Sequence, residues 1–159
     1  MTVGNVTLEA PAPLAWSDDL LLGEPSMDAE HEAFVTHLHA LQTASDDALD
    51  ACYQAFAEHA KAHFDQENAW MEETQFPPRQ CHIDEHAAVL KSVDEVGALL
   101  AAGQHAIARE LAQKVAEWFP AHLQHLDSAL SHWVCKRRWG GKPVVLRRGL
   151  RDGEDDQPR

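Results

Sequence analysis

The sequence predicts an all-α protein: an up-down-up-down four-helix bundle with an extended N-terminal arm and a basic C-terminal tail. Three observations carry this. Apolar residues recur at spacings of three and four over long stretches, and no segment alternates as a strand would. Breaks in that pattern are few, at Gly23-Glu24-Pro25, Ser45, Phe76-Pro77-Pro78 and Gly103, so the helices are long and the turns short. With 159 residues and 45% apolar content, the chain can fill one core and is too short for two. The expected organisation is an arm over 1–25, a bundle over 26–139 and a flexible basic tail over 140–159.

The arm mixes Gly4, Pro11 and Pro13 with Trp16 and reads as extended chain. The first helix runs from about Ser26 or Met27 to Ala44, with Phe34, Leu38 and Leu41 on one face. Ser45-Asp46-Asp47 is a cap signal for a second helix over about 46–75, carrying Leu49, Tyr53, Phe56, Ala60, Phe64 and Met71. Phe76-Pro77-Pro78 ends it. A third helix over about 79–102 carries Ile83, Leu90, Val93 and Leu100, and Gly103 closes it. The fourth covers about 104–137, with Ile107, Leu111, Val115, Leu123, Leu126, Leu130 and Trp133. Pro120 inside it removes one backbone donor and is expected to bend the helix near Glu117.

Charge is unevenly spread. The whole chain carries 26 acids and 13 Lys or Arg, a formal −13. Residues 136–159 hold eight of those bases and four acids, so the tail is +4 and the first 135 residues −17. An acidic body is unsuited to gripping a phosphate backbone, which excludes a nucleic-acid partner. The basic tail suits an acidic protein partner or the protein's own acidic body, with Val144-Val145-Leu146 able to pin part of it. No apolar run approaches the ~18 residues of a membrane span. The first Lys or Arg is Lys61, so no positively charged leader is expected. Cys52, Cys81 and Cys135 are odd in number and widely spaced, as reduced cytoplasmic thiols are. Cys81 alone, next to His82, is placed so that its oxidation would disturb a neighbouring site.

Eleven histidines are the other anomaly. His31 follows Asp28 by three on the first helix. His63 and Glu67 lie one turn apart on the second, His82 and His86 one turn apart on the third, and His122 precedes Asp127 by five on the fourth. Residues four apart share a helix face, so each such pair presents two donors side by side. Every helix thus offers a ligand, and a bundle core is where such groups converge on metal. Two common motifs are missing: His82-Ile83-Asp84-Glu85-His86 lacks the Glu of the HExxH zinc-protease pattern, and no histidine has Glu three residues before it. The donors are also too many for a single zinc.

The run Asp28-x-x-His31, His63-Phe64-x-x-Glu67, His82-x-x-x-His86 and His122-x-x-x-x-Asp127 resembles the hemerythrin family, in its bacterial single-domain form. Trp16 ahead of Gly23, Met71, and Phe76-Pro77 before His82 fit the same pattern, over about residues 14–133. The resemblance implies a non-haem centre of two iron ions, Fe2+ or Fe3+, bridged by oxide or hydroxide. His31 and His63 would hold one iron, and His82, His86 and His122 the other, with Glu67 and Asp127 bridging. Two six-coordinate irons need twelve positions; five imidazoles, two bridging carboxylates and the bridging oxygen fill eleven. The vacancy falls on the His31/His63 side, where a small ligand can bind. A formal charge of +1 is kept when two electrons pass to oxygen, provided the bridging proton moves with them, so a dry pocket imposes little penalty.

What the resemblance implies is reversible dioxygen binding for storage, delivery or scavenging, with no catalytic residue required. Two other classes stay open: a sensor of oxygen, redox state or iron signalling through the tail, and an enzyme that reduces nitric oxide or peroxide or oxidises iron. Phe119 stands where the family more often has Leu beside the oxygen pocket, and is read as either a gate or core packing. His59 and His125 are expected on the surface or behind the ligands, His37, His39, His105 and His132 on the surface, and Trp70 and Trp118 in the core.

Overall fold

The structure is a computed structural model and describes residues 10–147. After a 3-10 turn at Asp18–Leu20 come four α-helices, α1 Pro25–Thr43, α2 Asp46–Glu73, α3 Arg79–Ala101 and α4 His105–His122. A π-helical segment, Leu123–Asp127, then leads without a break into α5, Ser128–Trp139. α4, the π segment and α5 form the fourth rod of an all-α four-helix bundle, and no strand occurs among the described residues. α1 packs on α2 and α4, and α3 on the same two. No helix among the described residues is long and apolar enough to cross a membrane.

Local chemistry accounts for the helix ends. α1 begins at Pro25, one or two residues ahead of the predicted start, because proline suits the first turn and Glu24 caps it by accepting from the Met27 amide at 2.7 Å. Ser45 stands at the start of α2 as expected, yet its side chain caps nothing. Arg109 of α4 ties that corner instead, donating to the Ala44 carbonyl at 3.0 Å and to Asp46 at 2.6 Å. α2 stops at Glu73 rather than 75, since Gln75 takes φ +52° to enter the turn before Pro77. Gly103, at φ +90°, lets its own amide and that of Gln104 return to the Leu100 and Leu99 carbonyls, which closes α3.

The main departure lies in the fourth rod. Pro120 remains inside α4, and the irregularity comes later, where the Ser128 amide bonds to Leu123 five residues back instead of four. The expectation of a single α-helix over about 104–137 is therefore corrected to two α-helices joined by one wide turn.

The arm is less free than its composition suggests. The Leu14 amide donates to Gln42 at 2.9 Å, the Leu14 carbonyl accepts from His39 at 2.9 Å, and Leu20 is buried in the core. His39, expected on the surface, is thus half-buried and pinned to the arm. Asp28 clamps the arm's end, accepting from the amides of Leu22 at 2.7 Å and Gly23 at 2.9 Å. Of the predicted tail, residues 140–147 are described and 148–159 lie outside the described residues. The described part crosses the arm: the Val144 backbone lies against Gly23 and Arg147 reaches Asp19 at 3.6 Å, while Arg138, on α5, reaches Glu24 at 4.0 Å.

Gly23 sits at φ +93°, and a Cβ there would meet Val144 backbone atoms at 2.8–2.9 Å. Gly23→Ala is expected to cost at least ~1 kcal/mol in urea unfolding through the positive φ alone, with the collision added. Arg147→Ala breaks only an exposed ion pair and is expected to cost no more than about 0.5 kcal/mol in the same assay.

Candidate metal centre

Two apolar clusters fill the bundle. One gathers Phe34, Phe56, Phe64, Val93, Phe119 and Leu123; the other gathers Met27, Trp70, Met71, Phe76, Leu130 and Val134. Between them in sequence, on every helix, stand polar side chains: His31 between Met27 and Phe34, Glu67 between Phe64 and Trp70, His82 and His86 between Phe76 and Val93, Asp127 between Leu123 and Leu130. With His63 and His122 these make seven side chains, all at most 3% exposed. The helical periodicity that buries the apolar face buries these residues with it, and they form a polar layer across a dry core.

The geometry of that layer is divided. Glu67 Oε1 lies 3.0 Å from His31 Nε2 and 3.3 Å from His63 Nε2, and its Oε2 lies 3.2 Å from His86 Nε2 and 3.7 Å from His82 Nε2. Asp127 Oδ2 lies 3.2 Å from His31 Nε2, and its Oδ1 lies 3.0 Å from His82 Nε2 and 3.2 Å from His122 Nε2. Each carboxylate therefore turns one oxygen to the His31/His63 side and the other to the His82/His86/His122 side, Glu67 meeting two imidazoles on each and Asp127 meeting His31 on one and His82 and His122 on the other. Two sets of donor atoms result, each within 4.8 Å: Glu67, His82, His86, His122 and Asp127 in one, His31, His63 and Glu67 in the other.

The π segment makes this possible. Residues five apart in a regular α-helix point about 140° apart. The wider turn over 123–127 brings Asp127 back to the face of His122, 3.2 Å away. The His122-x-x-x-x-Asp127 spacing carried that signal, since two residues five apart meet only where the helix is widened.

Outer contacts set the ring orientations. His86 Nδ1–H donates to Asn68 Oδ1 at 2.8 Å, and His122 Nδ1–H donates to Glu85 at 3.2 Å. Trp118 Nε1–H donates to the same Glu85 oxygen at 2.7 Å while its ring covers His122 at 4.3 Å. Phe64 stacks on His86 at 4.1 Å. Asn68 and Glu85 were not visible as site residues in the sequence: each follows a candidate ligand on its own helix, but its partner is on another. Phe119 is fully buried, stacked on Phe34 at 4.6 Å and edge-on to His31 at 5.9 Å, so it is core packing and site wall together. His125 and His132 are exposed, whereas His37, His59 and His105, expected on or near the surface, are half-buried. All three cysteines are free, with Cys135 buried.

The layer fits a cation better than a hydrogen-bond network. A neutral imidazole has one N–H, and His86 and His122 each spend theirs outward, so both Nε2 atoms carry lone pairs. These two atoms face each other at 3.2 Å and face carboxylate oxygens as well. Buried and without a hydrogen bond are also His63 Nε2, His82 Nε2, Glu67 Oε2 and both Asp127 oxygens. Lone pairs crowded against lone pairs in a dry core call for positive charge among them. Burial by itself would raise Glu67 and Asp127, but the imidazoles around them outweigh it and hold both carboxyls below the usual range. Burial pulls His31 down, yet Asp127 and Glu67 push it further up, to about 10. At His63 burial prevails, and its pKa falls to about 4.

The chain is similar to known proteins. The family model described as the hemerythrin HHE cation binding domain matches residues 23–133. A bacteriohemerythrin of Ralstonia nicotianae is 40% identical over 124 residues, covering 78% of this chain and 90% of that protein. Bacteriohemerythrins of Stenotrophomonas maltophilia and Pseudomonas aeruginosa are 29% and 26% identical, covering 77% and 74% of this chain and 82% and 78% of theirs. No solved structure gives a significant match.

Because Glu85 alone accepts the outer proton of His122, Glu85→Ala is expected to weaken metal retention by roughly 10- to 100-fold. Competition against a graded series of chelators measures this; unchanged retention would show that the Glu85 contact does not matter.

Proposed function

This chain belongs to the hemerythrin family, whose members bind non-haem iron, and from that premise we propose that it is a di-iron protein binding dioxygen reversibly, for storage, delivery or scavenging. The proposed ligands are His31 and His63 for one iron, His82, His86 and His122 for the other, with Glu67 and Asp127 bridging. The observation that carries this reading is the division of the two carboxylates, each with one oxygen on the His31/His63 side and the other on the His82/His86/His122 side. A single metal would leave half of those oxygens without a partner.

Ferrous iron, when bound, would supply the electrons for oxygen binding, and the protein's residues would supply the setting. His82, His86 and His122 with one oxygen from each carboxylate would hold one iron. His31 and His63 would offer the other one imidazole fewer, and a diatomic ligand would bind on that side. Phe34 and Phe119 wall that half, Phe34 at 5.5 Å from the His63 ring and Phe119 against His31, and so keep water from it. Glu85 and Asn68 hold His122 and His86 in the tautomer that presents Nε2 inward. No side chain in the layer is left over for general acid or base work, which supports binding rather than turnover.

Metal analysis with visible spectra tests this. Two irons per chain and an absorption band that forms in air and fades under vacuum are expected of the reduced, iron-loaded protein. A band that forms once and never reverses, or steady consumption of oxygen, nitric oxide or peroxide, would replace it with the enzyme reading.

Loading should also release protons. The metal-free His31 pKa near 10 means its ring is protonated at pH 7, and a metal ligand must give that proton up. At least about one proton per chain is expected on adding Fe2+ without oxygen, read with an indicator dye in weak buffer.

A further inference from the structure

Two histidines outside the centre line up with one inside it. On α2, His59 stands one turn before His63, with ring planes 13° apart and centroids 6.0 Å apart. His37, from α1, stacks on His59 at 4.9 Å and 28°. Donor atoms of His59, His63 and Glu30 lie within 4.8 Å of one another. His59 Nε2 and His63 Nδ1 are both buried without a hydrogen-bond partner, and His63 itself is 1% exposed. That sets His63 apart from His86 and His122, whose outer nitrogens are taken by Asn68 and Glu85.

Two orphaned imidazole nitrogens beside a carboxylate are a donor set for a divalent cation of the first transition row, which prefers mixed nitrogen and oxygen ligands. We propose that Glu30, His59 and the outer nitrogen of His63 form a cation-capture site, at which a divalent ion is held before it enters the centre. A neutral imidazole carries a lone pair on only one of its two nitrogens, so the two occupancies are exclusive. His63 Nε2, 3.3 Å from Glu67 Oε1, faces the centre, and an ion held there leaves no lone pair on Nδ1, so the outer set loses its third donor. Capture and release are thereby coupled to filling of the centre. The entry role rests on the di-iron reading; the capture site does not.

Zn2+ is the probe. In the full chain carrying Glu67→Ala and Asp127→Ala, which removes both carboxylates of the centre, titration calorimetry is expected to show a bound Zn2+ that His59→Asn or Glu30→Gln weakens by about tenfold or abolishes. Zn2+ binding indifferent to both further substitutions overturns the proposal. Should the double variant prove unfolded by circular dichroism, uptake of limiting Fe2+ by the metal-free wild-type fold decides, measured without oxygen. His59→Asn is then expected to slow loading severalfold and leave the final iron content unchanged, and equal rates overturn it. A chain that takes up no iron at all would defeat the di-iron reading, and Zn2+ titration of the wild-type chain against its His59→Asn variant would then judge the capture site, equal binding overturning it.

Discussion

Glu67 and Asp127 are fully buried between two apolar clusters, and two carboxylates placed there are disfavoured both by the surroundings and by each other. They are tolerable only because five imidazoles, drawn from all four rods, close around their four oxygens. That condition governs the rest. Each rod must present its polar residue at one depth, so the helices cannot slide along one another without stranding a charge. The hydrophobic clusters above and below supply most of the burial energy, but many packings of such clusters are nearly equal. The polar layer selects among them, and the free energy of binding a cation there adds directly to the stability of the folded chain.

Much of this could be read in the residues. The helices, their order and the seven converging side chains follow from spacings of three and four interrupted at a few turns, because the periodicity that buries Phe34 or Phe64 also buries His31 or Glu67. Other features stayed hidden because they depend on contacts between elements. Asn68 and Glu85 are ordinary polar residues until another helix brings His86 and His122 to them. Asp28 reads as part of a motif around His31, whereas its carboxylate holds the amides of Leu22 and Gly23. The wide turn over Leu123–Asp127 goes with the spacing of five between His122 and Asp127, and it lies beyond Pro120, which stays inside α4. Proline removes a donor from the helix, and the geometry of the layer decides where the extra residue goes.

Composition left the partners of the two ends unnamed. Pro11 and Pro13 suggest extended chain, and Gln42, His39 and Asp28 supply the partners for the arm's backbone. The +4 of the tail and the −17 of the body describe a long-range attraction rather than a contact. What gives that attraction an address is the Gly23 turn, whose missing side chain admits the Val144 backbone, with Arg138 and Arg147 set against Glu24 and Asp19. The Arg147–Asp19 pair is exposed and contributes little to stability, whereas Glu24, beside Arg138, is buried, so shape decides where the segment lies and charge biases it there.

The two halves of the layer differ in how tightly they are held. His86 and His122 are fixed from behind by Asn68 and by the Glu85–Trp118 pair, and from the side by aromatic rings. His31, His63 and His82 have no such partner on Nδ1; His82 lies against the held rings of His86 and His122 at 4.5 and 4.9 Å, whereas His31 and His63 lie against Phe34 and Phe119, which fix position by packing and donate nothing. A site that must accept and release a small molecule needs one half that keeps its geometry and another that can adjust by fractions of an ångström as the ligand comes and goes. Hydrogen-bonded rings suit the first task, since any rotation breaks a bond to a buried partner. Rings held only by apolar contact suit the second, since small shifts cost little there. Phe119 belongs to this second half in both its roles, because the contact with Phe34 that fills the core also sets how much room remains beside His31.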